Sequence, residues 1–337
     1  MSLNEFIEEW HSASPVLAVN TSGSTGPPKT ILVEKKRMAA SALKTCAFLG
    51  LKPGDTALLC LPLNYIAGKM MVVRALLQGL ELLCVEPSGH PLRGLASPPD
   101  FAAMIPMQVF NSLRVPGERK ILEGIGNLLI GGGPVDEDME KELKAFPNPV
   151  WSTYSMTETL SHIALRRLNG SRAEPWFRPL DSVKVQVDED GFIIINAPEV
   201  CPGILKTNDL GQMSPDGKGF RLIGRAGNVI NSGGVKIHIE DVERLLKPFI
   251  DLPFAITKKK DEKFGEIVVM VIGYEEGSPF GKYDENKIKE VCDAVLPVYS
   301  RPRLYIRAEK IPMTKTGKTD RAELLRIADN YHYLCRQ

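Results

Sequence analysis

Short apolar runs alternate with helical patterns through the first half of the chain. Residues 56–61, 81–85, 127–130 and 150–154 read as strands, whereas residues 67–78, 100–113 and 136–146 carry apolar side chains at helical spacing. Such alternation predicts βαβ units and a largely parallel sheet covered by helices. Ligands of these sheets gather beyond the carboxyl ends of the strands. The Gly131-Gly132-Gly133-Pro134 turn and the Tyr154 segment fall at two such ends and are expected to converge. Beyond Ser182 the period changes to two. Residues 183–187 and 192–196 flank Asp190-Gly191 as a hairpin, and Asp216-Gly217 precedes a strand at 220–223. After Gly224 the pattern becomes that of a smaller α+β unit, with helices at 241–246 and 284–296 and a strand at 267–272. Four glycines between Gly224 and Gly234 mark the boundary, giving expected domains of 1–226 and 227–337.

Composition narrows the field. The 337 residues suffice for about two domains. Forty-two basic against 41 acidic residues give a formal charge of +1, which offers no global attraction to nucleic acid or an acidic membrane. The cysteines Cys46, Cys60, Cys84, Cys201, Cys292 and Cys335 are widely spaced and lack metal-ligand spacing, as expected in a reducing compartment. The amino terminus shows no basic region followed by an apolar segment, so a cytoplasmic protein is expected. None of the five histidines, His11, His90, His162, His238 and His332, has a partner pattern that marks a catalytic base.

The densest candidate chemistry is Thr21-Ser22-Gly23-Ser24-Thr25-Gly26-Pro27-Pro28-Lys29. Gly23 and Gly26 permit backbone angles that turn N–H groups toward an anion, the hydroxyls add donors, and Lys29 can neutralise charge. Two prolines before the lysine, with no Ser or Thr after it, separate this loop from a Walker A loop. Five further segments follow in order: Leu128-Leu129-Ile130-Gly131-Gly132-Gly133-Pro134; Tyr154-Ser155-Met156-Thr157-Glu158-Thr159; Thr207-Asn208-Asp209; Gly224-Arg225-Ala226-Gly227-Asn228-Val229-Ile230 with Ser232-Gly233-Gly234; and residues 312–321 with Lys318. The ordered series, from about residue 19 to the end, resembles the adenylate-forming superfamily of acyl-CoA synthetases, luciferases and nonribosomal adenylation domains.

The resemblance implies a fold and a two-step reaction. The fold is α/β, a large domain with a mostly parallel sheet and a strand-rich subdomain, followed by a mobile α+β lid. In the reaction, a carboxylate attacks the α-phosphate of ATP to give an acyl adenylate and pyrophosphate, and a thiol then displaces AMP. Thr21 to Gly26, with Lys29, would hold the β- and γ-phosphates, while Gly132, Gly133 and Pro134 would line the nucleotide site. Glu158 would hold Mg²⁺, Thr157 would contact the α-phosphate, and Tyr154 would stack on adenine. Asp209 would accept from both ribose hydroxyls, as an acceptor-only group can, with Arg225 beside it. Lys318 would bridge carboxylate and α-phosphate, and Ser232, Gly233 and Gly234 would serve CoA after the lid rotates. Gly227 stands where an acidic hinge residue is usual, Ser155 where glycine is usual, and Trp176-Phe177-Arg178-Pro179 replaces a glycine-rich turn.

The segment from Leu61 to Gly68 resembles the family stretch that lines the acyl pocket, with Tyr65 at the entry position. Six residues on, Arg74 stands where o-succinylbenzoate-CoA ligases of menaquinone biosynthesis carry an arginine for the second carboxylate of their acid. The physics agrees. A helix apolar around Met70, Met71, Val72, Val73, Ala75, Leu76 and Leu77 buries an arginine at a cost unless an anion pairs with it. The expected function is therefore an ATP-dependent acid-thiol ligase using ATP, Mg²⁺ and CoA. Two alternatives remain: a stand-alone adenylation enzyme loading a carrier protein, and a non-catalytic nucleotide-binding protein. The family usually has more than a hundred residues before the phosphate loop, against about twenty here. The resulting apolar surface would suit a homodimer.

Overall fold

The computed structural model describes residues 1–20, 30–274, 284–314 and 318–331. The chain opens with helix α1 (Leu3–His11), capped by a reciprocal Ser2–Glu5 box. A hairpin follows, β1 (Val16–Asn20) and β2 (Thr30–Glu34), with Asn20 and Thr30 in register at its open end. Helix α2 (Lys35–Leu49) ends at Gly50 in the left-handed conformation (φ 67°) that glycine tolerates. Then come β3 (Thr56–Leu59), α3 (Ile66–Gln78), β4 (Glu81–Cys84), β5 (Phe101–Met104), α4 (Pro106–Arg114), α5 (Pro116–Gly124) and β6 (Asn127–Ile130). Helix α6 (Glu137–Leu143) leads to β7 (Val150–Ser155), β8 (His162–Arg167) and β9 (Arg178–Pro179).

Strands β3 to β9 form one sheet in the order β4-β3-β5-β6-β7-β8-β9. The pairs from β4 to β7 are parallel and the last two are antiparallel. Alternate residues of one strand feed opposite cores. Phe101 and Leu129 join the cluster of α1, α2 and α3, whereas Ala102, Leu128 and Ile130 join that of α4 to α6.

One expectation needs correcting. Residues 100–113 are not a single helix: Phe101–Met104 is a strand and only Pro106–Arg114 is helical. Proline at the first helical position holds Ile105 extended (φ −90°, ψ 156°), so a helix cannot run through it. Phe101, Ala102 and Met104 then gain more from burial between β3 and β6 than from helix propensity.

A second sheet joins β10 (Lys184–Val187), β11 (Phe192–Asn196), β12 (Ile204–Met213) and β13 (Phe220–Arg225), all antiparallel. The 190–191 turn appears as expected, with Gly191 at φ 90°. A 3-10 turn, Ala226–Asn228, leads to a third sheet of β14 (Val229–Ser232), β15 (Val235–His238), β16 (Phe254–Asp261), β17 (Gly265–Gly273) and β18 (Leu304–Ala308). Helices α7 (Ile239–Leu246), α8 (Glu285–Val295) and α9 (Arg321–Asn330) cover it. Among the described residues, no helix is long and apolar enough to cross a membrane.

Candidate active site

The carboxyl ends of β6 and β7 meet as the alternation predicts. A Cβ on Gly131 would lie 2.5 Å from Thr153 Oγ1, so the turn after β6 presses against β7 and only glycine fits there. Gly132 adopts φ 80°, which turns the chain away from the sheet. The next strand end carries Tyr154, whose hydroxyl donates to Asp209 Oδ2 at 2.9 Å. Arg225 Nε donates to the other oxygen, Oδ1, at 2.6 Å. Residues from β7, β12 and β13 thus share one carboxylate, itself 5% exposed. Register accounts for half of this, since Asp209 and Arg225 are opposite one another in the β12–β13 ladder. Burial, then the neighbouring Asp209 charge, raises the Tyr154 phenol far above its ordinary range, so it remains a donor. The Tyr154 ring packs edge-on against Phe220, 5.1 Å between centroids, and is only 4% exposed. The face it leaves for a stacked purine is small.

Beyond β7 the chain makes a tight loop. Thr157–Thr159 form one 3-10 turn, with Thr157 half-buried and Glu158 exposed. The Thr159 hydroxyl clamps the loop, donating within reach of both Met156 O (3.1 Å) and Ser161 O (2.8 Å). Leu160 sits at φ 66°, a region costing a branched residue on the order of 1 kcal/mol. No group of three or more His, Cys, Asp or Glu side chains among the described residues could cage a metal ion. A lone exposed carboxylate does suit Mg²⁺, which takes one or two protein carboxylates and finds its other ligands in phosphates and water.

Arg74 is 2% exposed and has no carboxylate partner among the described residues. Its Nη2 donates to Ser161 Oγ at 2.6 Å, and its buried Nε has no partner among the described residues. Burial pushes the guanidinium down to about 10. Among the described residues none supplies the anion that should offset this cost. Tyr65, half-buried, precedes the first turn of the same helix. Gly68 lets α3 approach the Leu61–Pro62 backbone, because a Cβ there would lie 2.5 Å from Pro62 O.

Lys318 lies beyond the third sheet, and its neighbours are the Arg225 and Asp209 charges of the second. Burial, reinforced by Arg225 and opposed by Asp209, lowers its pKa. Its turn is braced: Thr314 N donates to Lys318 O (2.7 Å), Asp320 N to Pro312 O (2.9 Å), and Arg321 makes a two-pronged pair with Glu243 at 2.7 Å on each arm. Between the units, Lys247 Nζ lies 3.0 Å from Asp136. Gly233 (φ 58°) and Gly234 (φ 83°) form the β14–β15 turn beside Phe264 and Tyr299. Among the described residues, the buried Ser232 hydroxyl has no partner, and no hydrogen bond joins this turn to Asp209 or Tyr154. Thr21, Ser22, Gly23, Ser24, Thr25, Gly26 and Lys29 lie outside the described residues. Three residues beside Arg74 carried no motif to reveal them: Ser161, His162 and Thr45.

Comparison with known proteins follows this geometry. Residues 4–201 match the family model described as AMP-binding enzyme. The chain is 25% identical to the 2-succinylbenzoate–CoA ligase of Listeria monocytogenes serovar 1/2a, over 95% of its own length and 72% of the relative's. The corresponding ligase of Bacillus cereus ATCC 10987 is 24% identical over 96% and 72%. Among solved structures, the acyl-CoA synthetase (AMP-forming)/AMP-acid ligase II-like protein of Dyadobacter fermentans is 34% identical, with a TM-score of 0.63 and coverage of 95% and 91%. The o-succinylbenzoate CoA synthetase of Bacillus subtilis in complex with its acyl-adenylate intermediate shares the fold at 22% identity and a TM-score of 0.75, with coverage of 91% and 68%.

Proposed function

Because the chain belongs to the AMP-binding enzyme family, we propose that it is an ATP-dependent acid-thiol ligase acting on o-succinylbenzoate, with CoA as the acceptor. The observation that carries the choice of acid is Arg74, a buried guanidinium whose Nε lacks a partner among the described residues. An acid with a second carboxylate supplies the missing anion, and relatives of the chain are named 2-succinylbenzoate–CoA ligases. A monocarboxylic acid leaves the cost of burying Arg74 uncompensated.

In the adenylation step the attacking carboxylate and the α-phosphate are both negative, so the chain must screen them from each other. Lys318 lies close enough to Asp209 and Arg225 to feel their charges, and there it would bridge carboxylate and α-phosphate oxygens. The Thr157 hydroxyl would donate to the α-phosphate. Asp209, fixed by Tyr154 and Arg225, would orient the ribose, with adenine against the Gly132-Gly133-Pro134 turn. Glu158 would hold Mg²⁺, which when bound neutralises charge on the phosphates. Residues 227–337 would then rotate about Gly227 to bring Ser232, Gly233 and Gly234 to the thiol. A Cβ on Gly227 would meet nothing within 4 Å, so the hinge position is sterically free.

Purified protein given ATP, Mg²⁺ and o-succinylbenzoate should release pyrophosphate and form a thioester on addition of CoA. No turnover with this acid, against clear turnover with a monocarboxylate, would refute the assignment. Arg74→Met should lower kcat/KM for the dicarboxylate about 10²-fold, the scale of a lost charged hydrogen bond.

A further inference from the structure

The surroundings of Arg74 contain more than the proposed acid requires. Ser161 arrives from the loop between β7 and β8, His162 from the start of β8, and Thr45 from α2, 117 residues from His162 in sequence. His162 Nδ1 lies 3.3 Å from Ser161 Oγ, and His162 Nε2 lies 3.0 Å from Thr45 Oγ1. Thr45 Oγ1 in turn donates to Ser41 O at 3.1 Å, the back-bond a helical threonine makes to the residue four before it. Thr45 is fully buried, Ser41 is 3% exposed and His162 is 5% exposed.

The protons in this chain can be placed from its geometry. Arg74 can only donate, so Ser161 Oγ accepts from it. Among the described residues the remaining Ser161 proton has one acceptor in reach, His162 Nδ1. A neutral ring accepting at Nδ1 carries its hydrogen on Nε2, which donates to Thr45 Oγ1, whose own hydrogen goes to Ser41 O. Each hydroxyl and ring proton then has an acceptor. Burial, aided by the Arg74 charge, holds His162 well below the ordinary histidine range, consistent with a neutral ring. The strained Leu160 backbone and the Thr159 clamp fix the loop that carries Ser161.

We infer that His162 is a positioning residue for acid specificity: through Ser161 it fixes one arm of Arg74, so that Nε stays free and aimed at the distal anionic group of the acid. The chain Thr45–His162–Ser161 consumes one guanidinium donor and no others. Without it, the Arg74 head would be free to swing among competing acceptors, and the acid would have to fix it on binding. The inference rests on the proposed pairing of Arg74 with the acid.

The test uses the 337-residue protein in ATP–pyrophosphate exchange with o-succinylbenzoate, and with benzoate as a monocarboxylate control. His162→Leu should raise the KM for o-succinylbenzoate about tenfold or more, while kcat and the KM for ATP stay within about twofold. His162→Gln should restore the KM to within about threefold, because its amide offers one acceptor and one donor in place of Nδ1 and Nε2. Thr45→Val breaks the far end of the chain without changing its volume much, and should raise the same KM. Nitrogen NMR of histidine-labelled protein should show the hydrogen of His162 on Nε2. An unchanged acid KM in His162→Leu, while Arg74→Met raises it, overturns the positioning role and leaves the Arg74 pairing standing. Unchanged values in both variants overturn both. A hydrogen found on Nδ1, or a Gln variant as impaired as Leu, also overturns the inference.

Discussion

At the scale of single residues, the charges at this site are arranged by desolvation as much as by pairing. Lys318 illustrates the sign. Its pKa is lowered because burial and Arg225 outweigh Asp209, so the cation begins to lose its proton below the ordinary lysine value. As pH rises through that lowered value, the adenylation half-reaction should decline, earlier than for an exposed lysine. ATP brings negative charge that favours the protonated form, so nucleotide binding in this window should take up a proton. Calorimetry of ATP binding at pH 9 in buffers of different ionisation enthalpy would show that uptake. No uptake in the native chain, or the same uptake in Lys318→Met, would remove Lys318 from the phosphate. The types and order of these residues were legible in the sequence, but their partners were not. Asp209 is expected as an acceptor for the ribose, yet within β12 both of its oxygens already accept from the protein. Tyr154 reads as a stacking platform, and its clearest contact is through its hydroxyl.

At the scale of elements, α3 shows how packing outranks propensity. Alanine normally gains about 1 kcal/mol over glycine within a helix. At Gly68, however, a Cβ would meet Pro62 O at 2.5 Å and Leu61 O at 2.7 Å, both backbone atoms with little freedom to move. Gly68→Ala should therefore destabilise by about 1–3 kcal/mol net and shift Tyr65 and Arg74 together. Thermal melts would check the first effect and the acid KM the second. The helix itself was legible, since an unbroken apolar stretch around Arg74 announces burial on all sides, as observed from Gly68 to Ala75. The split of residues 100–113 into β5 and α4 was less legible. A five-residue apolar run before proline carries too little periodicity to separate strand from helix, and neighbouring strands decide it.

At the scale of the whole molecule, the sheets bring Tyr154, Asp209, Arg225 and Lys318 close together. Few charges hold that arrangement from outside. Lys247 and Asp136 are 3.0 Å apart but 55% and 37% exposed, so their pairing contributes little to stability. It can still bias the orientation of the units. Lys247→Glu places a negative charge by Asp136 and Glu137, and should slow adenylation about two- to fivefold at low salt, with the loss disappearing near 0.5 M salt. A loss independent of salt would mean the contact is not electrostatic. The sequence by itself determined the alternating strands and helices, the order of the hydroxyl- and glycine-rich segments, and the buried cation in an apolar helix. These are local: each follows from residue type and spacing within one element. Only the tertiary structure decided that Tyr154 and Arg225 share Asp209, that Lys318 lies beside them, and that Thr45, Ser161 and His162 brace Arg74. Hydrogen bonds between elements depend on which faces the core brings together, and no spacing along a single strand or helix records that choice.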